Sequence, residues 1–146
     1  MKRSMWLTLA MAAALFAIPP IRAEACEMAF RITGPDGAEM RILPGSTIAL
    51  RKGAEYTLRV EFTEDHRNCA IPPDETVFML DGGKWRVNKT AQALVLRSAI
   101  AWTAVSRTQN TAVITFTAGA GGTTVLNVSR DCPKAGYDES FTFVVT

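Results

Sequence analysis

The chain has 146 residues, 48% of them apolar, and a formal net charge of +2. That length suits one domain with a single core, and the apolar fraction excludes an intrinsically disordered chain. The small net charge, with no cluster of basic residues, gives no electrostatic basis for nucleic-acid binding.

The first residues, 1–25, have the layout of a secretory signal peptide. Two basic residues precede an apolar run, Trp6–Ile18, and small residues follow at Ala23 and Ala25. The run is shorter than the roughly 20 residues of a membrane span, and no later stretch approaches that length. We therefore predict export to the periplasm or the extracellular space, and a mature domain, 26–146, without a transmembrane span.

Removal of the signal peptide changes the charge balance. Cleavage after Ala23 leaves 13 basic and 14 acidic residues, so neither nucleic acid nor an anionic membrane surface is an expected partner. Cleavage after Ala25 would place Cys26 first, as in lipoproteins. Because Glu24 is charged, unlike the residues that precede a lipidated cysteine, ordinary cleavage is favoured over a lipid anchor. The expected partner is another exported or envelope protein.

Apolar residues alternate with polar ones along most of the mature chain. Alternate side chains of a strand face opposite sides of a sheet, so this pattern predicts strands with one buried face. The predicted inward positions, in chain order, are Met28, Phe30, Ile32, Tyr56, Leu58, Val60, Phe62, Ala112, Ile114, Phe116, Leu126, Val128, Phe141, Phe143 and Val145. We predict seven or eight strands.

Glycine-containing turns separate these strands. The sequence GPDG, at 34–37, divides the first two strands, and both DGG, at 81–83, and GAGG, at 119–122, predict hairpin turns. The segment Ala91–Thr103 fits either an amphipathic helix or a long strand with Leu94, Leu96, Ile100 and Trp102 on one face. The apolar alternation favours the strand.

The segment Thr47–Phe62 resembles the early strands of exported immunoglobulin-like and cupredoxin-like domains. An aliphatic pair there precedes a Lys-Gly turn and an alternating strand. The resemblance implies an all-β fold, a single antiparallel Greek-key sandwich of immunoglobulin type. It implies nothing about chemistry.

In an immunoglobulin-like topology the three cysteines, Cys26, Cys69 and Cys132, lie at the same end of the sandwich as His66. Exported domains are commonly cross-linked by disulfides, and the loop positions favour a Cys69–Cys132 bond. Two other pairings, Cys26–Cys69 and Cys26–Cys132, stay open. Because the number of cysteines is odd, at least one of the three is unpaired or pairs with another molecule.

A metal or redox site is the alternative use of these residues. One imidazole, His66, with the sulfurs of Cys26, Cys69 and Cys132 suits a copper or zinc ion. However, the chain has no CxxC or HxxxH spacing. Compared with the blue-copper motif of cupredoxins, Lys134 and Tyr137 replace the second histidine and the methionine, so a type-1 copper site is not expected.

A second alternative follows from two short segments. Gly119–Gly122 and Arg130–Pro133 resemble the Gly-x-Gly-Gly and Arg-Pro-aromatic loops of chagasin-like inhibitors of cysteine proteases. Those inhibitors are also immunoglobulin-like and use loops at one end. The Asn-Pro-Thr-Thr-Gly loop of that family is absent from Glu64–Glu75.

We predict a non-catalytic binding or accessory protein, because loops on a rigid scaffold commonly carry recognition. No G-x-S-x-G elbow is present, and a Cys69 thiol activated by His66 would be oxidised or paired after export. We predict that the loops His66–Thr76 and Arg130–Asp138 bind the partner. The candidate binding residues are His66, Arg67, Asn68, Trp85, Arg130, Asp131, Lys134 and Tyr137.

Overall fold

A computed structural model describes residues 26–64, 71–133 and 136–146 of the chain. The predicted signal peptide, residues 1–25, lies outside these ranges. The described residues form an all-β structure of two sheets, with one turn of 3-10 helix at Pro73–Glu75. Within them, no helix has the length and apolar character needed to cross a membrane.

Eleven strands are present in the described ranges, instead of the seven or eight that the sequence predicts. In chain order they are β1 (Cys26–Thr33), β2 (Glu39–Ile42), β3 (Thr47–Leu50), β4 (Glu55–Glu64), β5 (Val77–Leu80), β6 (Gly83–Lys84), β7 (Leu94–Leu96), β8 (Trp102–Ala104), β9 (Gln109–Ala118), β10 (Gly122–Arg130) and β11 (Tyr137–Val145). The additional strands are short edge strands, which the alternation pattern does not mark.

The first sheet has the strand order β2-β1-β4-β9-β7, and β8 also pairs with β9. All of its pairings are antiparallel. The second sheet has the order β3-β11-β10-β5-β6, in which only β3 and β11 run parallel. The short strands therefore form the edges of both sheets.

One hydrophobic core is built from the inner faces of the two sheets. Every inward position predicted from the alternation is buried, and Phe30, Leu58, Phe116 and Phe141 are completely buried. Phe30 of the first sheet contacts Phe141 of the second, with ring centroids 4.6 Å apart. The period-two prediction is thus confirmed for the long strands, since buried and more exposed residues alternate along them. Their solvent-facing residues are mostly threonine or charged.

The DGG hairpin is confirmed between β5 and β6. Asp81 and Gly82 both have positive φ, 49° and 75°, which matches the two-residue turn that suits the twist of paired strands. The Asp81 carboxylate also accepts hydrogen bonds from Thr124 Oγ1 at 2.6 Å and from the Val125 N–H at 2.8 Å. The hairpin is therefore attached to β10 as well as closed on itself.

The predicted GAGG hairpin is wrong. β9 belongs to the first sheet and β10 to the second, so residues 119–122 carry the chain across from one sheet to the other. Gly119 is needed for close approach, because a Cβ there would lie 3.1 Å from Val95 Cγ2 and 3.2 Å from the Gln92 carbonyl oxygen. Glycine marks the turn, but the tertiary structure decides which strand follows.

The single strand predicted within Ala91–Thr103 is two short strands, β7 and β8, so the preference for strand over helix is right and its continuity is wrong. Both pair with β9, but in different registers. Leu96 lies opposite Phe116 and Trp102 opposite Ala112. Between these two pairs the chain has five residues, 97–101, whereas β9 has only three, 113–115. The two extra residues cannot pair in register, so the strand is interrupted.

Candidate functional site

The described parts of the two predicted binding loops, 71–76 and 130–133 with 136–138, meet at one end of the molecule. Cys26, the first residue of β1, lies opposite Glu64, the last of β4, and Arg130, the last of β10, lies opposite Tyr137. The Arg130 guanidinium carbon lies 4.5 Å from the centroid of the Phe62 ring on β4, so both sheets end together here. We call residues 71–76, 130–133 and 136–138 the loop end.

Arg130 is buried beneath the loop end, with only 2% of its surface exposed. Its Nη1 donates a hydrogen bond to the Pro72 carbonyl at 2.7 Å and lies 3.5 Å from Thr76 Oγ1, while Nη2 donates to the Ile71 carbonyl. The planar guanidinium thus binds two successive carbonyls with its two nitrogens and packs over an aromatic ring. This side chain holds the segment 71–76 against the end of β10.

A shallow depression of about 350 Å³ opens above this buried arginine. The exposed carboxylate residues Glu75, Asp131 and Asp138 line it, together with the half-buried Tyr137. Tyr137 also stacks on Phe30, with ring centroids 6.1 Å apart. The lining therefore rests on the core and presents polar groups outward.

The predicted binding residues fall into three groups. Asp131 and Tyr137 line the depression, as a contact role requires. Arg130 and Trp85 are buried, so in this structure they support the surface from below. The others, His66, Arg67, Asn68 and Lys134, lie outside the described residues. Glu75 and Asp138 lie within the predicted binding loops but were not named among the candidate residues, because exposed acids give no signal that separates a site from a solvated surface.

Two of the three cysteines are described: Cys132 belongs to the loop end, and Cys26 lies opposite Glu64 at the same end of the molecule. Cys26 is 6% exposed and Cys132 is 9% exposed. Cys69 lies outside the described residues, so the Cys69–Cys132 bond stays a prediction. No group of three or more histidine, cysteine or acidic residues that could hold a metal occurs among the residues placed by the structure. The proposed metal set includes His66 and Cys69, which are not among them.

Trp85 lies at a second concave feature, a cleft of about 970 Å³ between the edges of the two sheets. Its Nε1 donates a hydrogen bond to the Leu94 carbonyl at 2.7 Å, and its ring meets Phe116 edge-on at 5.5 Å. Trp85 thereby joins the segment after β6 to β7. The cleft is also lined by Val77, Val87, Ile100 and Trp102, which no motif or spacing in the sequence links.

The two segments that resemble inhibitor loops lie far apart. Gly122 is the first residue of β10 and Arg130 is the last. Nine residues in a strand span about 27 Å at roughly 3.4 Å per residue. Gly119–Gly122 and Arg130–Pro133 therefore lie at opposite ends of β10, so they do not share one surface as the resemblance requires.

Comparison with known proteins identifies no family. No protein-family model matches the chain, and no curated protein matches it. Among solved structures, the solution structure of Amebosin aligns with a TM-score of 0.33 and 13% sequence identity, over 70% of this chain and 90% of that one.

Proposed function

We propose that this protein is an exported, non-catalytic binding or accessory protein that contacts a partner through the loop end. The observation that carries the proposal is the buried Arg130. A charged side chain is costly to bury unless it is well hydrogen-bonded, and here its bonds go to the backbone carbonyls of the segment 71–76. Such an arrangement holds that segment in one conformation, and a rigid surface loses less entropy on binding.

The finer fold in this proposal is a Greek-key sandwich of immunoglobulin type. The two strand orders and the parallel pair β3–β11 support it. In such domains the connections at the ends of the sandwich carry recognition. The exposed Glu75, Asp131 and Asp138, with Tyr137 between them, are then the contact residues.

Export is part of the proposal and rests on the N-terminal pattern. We expect the protein isolated from exporting cells to begin at Glu24 or Cys26. Intact mass measurement decides between these ends, and a fatty-acyl mass addition on Cys26 would replace ordinary cleavage with a lipid anchor. A protein retained in the cytoplasm at full length would overturn this part of the proposal.

Site-specific photo-crosslinking tests the partner-binding surface. A photoreactive amino acid replaces Asp131 at the loop end or, as a control, Lys52, which is exposed before β4 at the opposite end. In cells that export the protein, we expect a discrete covalent adduct from position 131 that is missing from position 52. No adduct at position 131, or the same adducts from both positions, would overturn the proposal.

A metal or redox accessory role is the second candidate. The observation that favours it is the burial of two cysteines, Cys26 and Cys132, at the same end. Thiol counting and metal analysis on the exported protein separate the two readings. We expect no metal and one disulfide that joins Cys69 to Cys132. If the thiols react only after a chelator has removed bound copper or zinc, the cysteines form a metal site and the expected disulfide is wrong.

A further inference from the structure

The cleft between the sheet edges combines an apolar lining with an unpaired strand edge. Its volume of about 970 Å³ lies within the roughly 300–1,000 Å³ range of ligand sites. Val77 and Val87 in its wall are 46% and 42% exposed, although branched apolar residues are usually buried. Ile100 and Trp102, which are half-buried, complete this lining from the first sheet.

The two short strands at this edge differ in how their outer side is covered. The outer side of β7 is occupied by the segment after β6, since the Asn88 N–H bonds the Leu96 carbonyl at 2.8 Å and Trp85 bonds the Leu94 carbonyl. Val87 and Leu96 also form a parallel bridge. By contrast, β8 pairs only with β9 in the described part of the chain.

The register shows which backbone groups of β8 point outward. The Val105 N–H bonds the Gln109 carbonyl, so in this antiparallel pair Val105 and Thr103 direct their N–H and C=O groups toward β9. Hydrogen-bonded positions alternate along a strand, so Trp102 and Ala104 direct theirs away from β9. No described strand meets these groups, and an exposed edge of this kind is a template for another strand.

We propose that the cleft binds an extended peptide segment of a partner protein, which pairs with β8 as an additional strand. The donors and acceptors on β8 have the spacing of a strand, which a polypeptide backbone matches and a lipid chain or a sugar does not. The added strand would present every second side chain to the inner face, where Trp102 lies opposite the buried Ala112. Main-chain bonds then supply binding, and the apolar cleft selects the side chains.

Charges on the cleft walls define the peptide further. The exposed Asp74 and Glu75 precede β5 at the loop end, whereas Lys84 lies opposite Met79, farther along β5. Complementary charges set the register and orientation of a partner. The expected ligand therefore has apolar residues at alternate positions, a basic residue at the end near Asp74 and Glu75, and an acidic residue toward Lys84.

The inference does not depend on partner binding by the loop end. The cleft shares Glu75 with that surface, but the backbone groups that pair with the peptide belong to β8. A phage-displayed library of random linear nonapeptides, panned on protein purified from cells that express the full chain, supplies the probe. We expect enriched sequences with alternating apolar residues and opposite charges at their ends. A synthetic enriched peptide should slow hydrogen exchange at the Trp102 and Ala104 amides when it binds.

Substitution of the edge gives the decisive comparison. Ala104→Pro removes an outward N–H without removing a bond to β9, and we expect it to weaken peptide binding at least tenfold. Arg41→Pro is the matched control, because the Gly34–Ala38 bond places the Arg41 N–H outward on β2, and it should leave binding within twofold. If Ala104→Pro fails to fold, Ala104→Asp adds an unfavourable charge at the same edge while keeping the backbone amide.

Several results would overturn the inference. These are an absence of enriched peptides, enriched peptides without apolar alternation, and binding that is unchanged in a folded Ala104 variant. A dimer in sedimentation experiments that Ala104→Pro dissociates would assign the edge to a second copy of this chain instead. Displacement of an enriched peptide by a small apolar compound, with no protection of the Trp102 and Ala104 amides, would assign the cleft to a small ligand.

Discussion

Replacement of Arg130 tests whether a buried arginine holds the loop end in place. Arg130→Ala removes the donors to the Ile71 and Pro72 carbonyls and the contact with the Phe62 ring. Hydrogen bonds from a charged donor contribute about 1.5–3 kcal/mol each, and a desolvated cation–π contact about 2 kcal/mol. Relief of the cost of burying the charge offsets part of this loss.

We therefore expect Arg130→Ala to lower the free energy of unfolding by about 3–5 kcal/mol, the sum of these contributions less that relief. Arg130→Lys keeps the charge but cannot bind two carbonyls with a planar fork. It should cost about 1.5–3 kcal/mol, the value of one charged hydrogen bond. The free energy of unfolding should therefore be lowest for Arg130→Ala, intermediate for Arg130→Lys and highest for the wild type. This order indicates that the planar fork of the guanidinium is required.

Urea unfolding, followed by tryptophan fluorescence, measures these differences at a fixed redox state. Arg59→Ala is the matched control, because Arg59 is exposed on the outer face of β4 and such changes stay within about 0.5 kcal/mol. Hydrogen exchange adds a local measurement, since the Glu75 and Thr76 amides bond the Pro72 and Pro73 carbonyls. The reasoning is refuted if Arg130→Lys matches wild type, or if Arg130→Ala costs less than about 1 kcal/mol, well under a single charged hydrogen bond.

Three further stability predictions use the same urea measurement. Asp81→Ala should cost about 2–3 kcal/mol through loss of the bonds from Thr124 and Val125, whereas Asp81→Asn should cost about 1 kcal/mol because the amide oxygen still accepts; a cost of Asp81→Ala below about 0.5 kcal/mol would contradict a role for the carboxylate. Trp85→Phe should cost about 1–2 kcal/mol, since the buried Leu94 carbonyl loses its donor, and an unchanged midpoint would rule this out. Gly119→Ala should cost about 1 kcal/mol or more through crowding against Val95, while Gly83→Ala, where the nearest atom lies 3.6 Å from the added Cβ, should change stability by less than about 0.5 kcal/mol; equal effects would argue against the close approach.

The long strands could be predicted because their signal is local. In β4, the residues Tyr56, Leu58, Val60 and Phe62 alternate with polar ones, and that alternation alone assigns the buried face. The edge strands could not be predicted in this way. β6 has two residues and β7 and β8 have three each, which is too short for any period to be visible.

The candidate site was predicted only in part, for a similar reason. The sequence places Arg130 and Asp131 next to each other in one connection, and both look like exposed charges. The structure separates them, because Arg130 continues the inward positions of β10 while Asp131 follows the end of the strand. The alternation of inward positions, continued by two residues from Val128, places Arg130 inside. A charged residue is rarely buried, however, so the sequence favoured an exposed position.

The sequence by itself determined the all-β class, the buried faces of the long strands and the tight turn at Asp81–Gly82. Each of these depends on side chains that are neighbours along the chain, through the period of a strand or the φ that a turn requires. Only the tertiary structure decided that Gly119–Gly122 crosses between sheets, that β7 and β8 share β9 in two registers, and that Arg130 bonds the carbonyls of 71–76. These features depend on which distant segments become neighbours, and this is set by how the two sheets pack on one core.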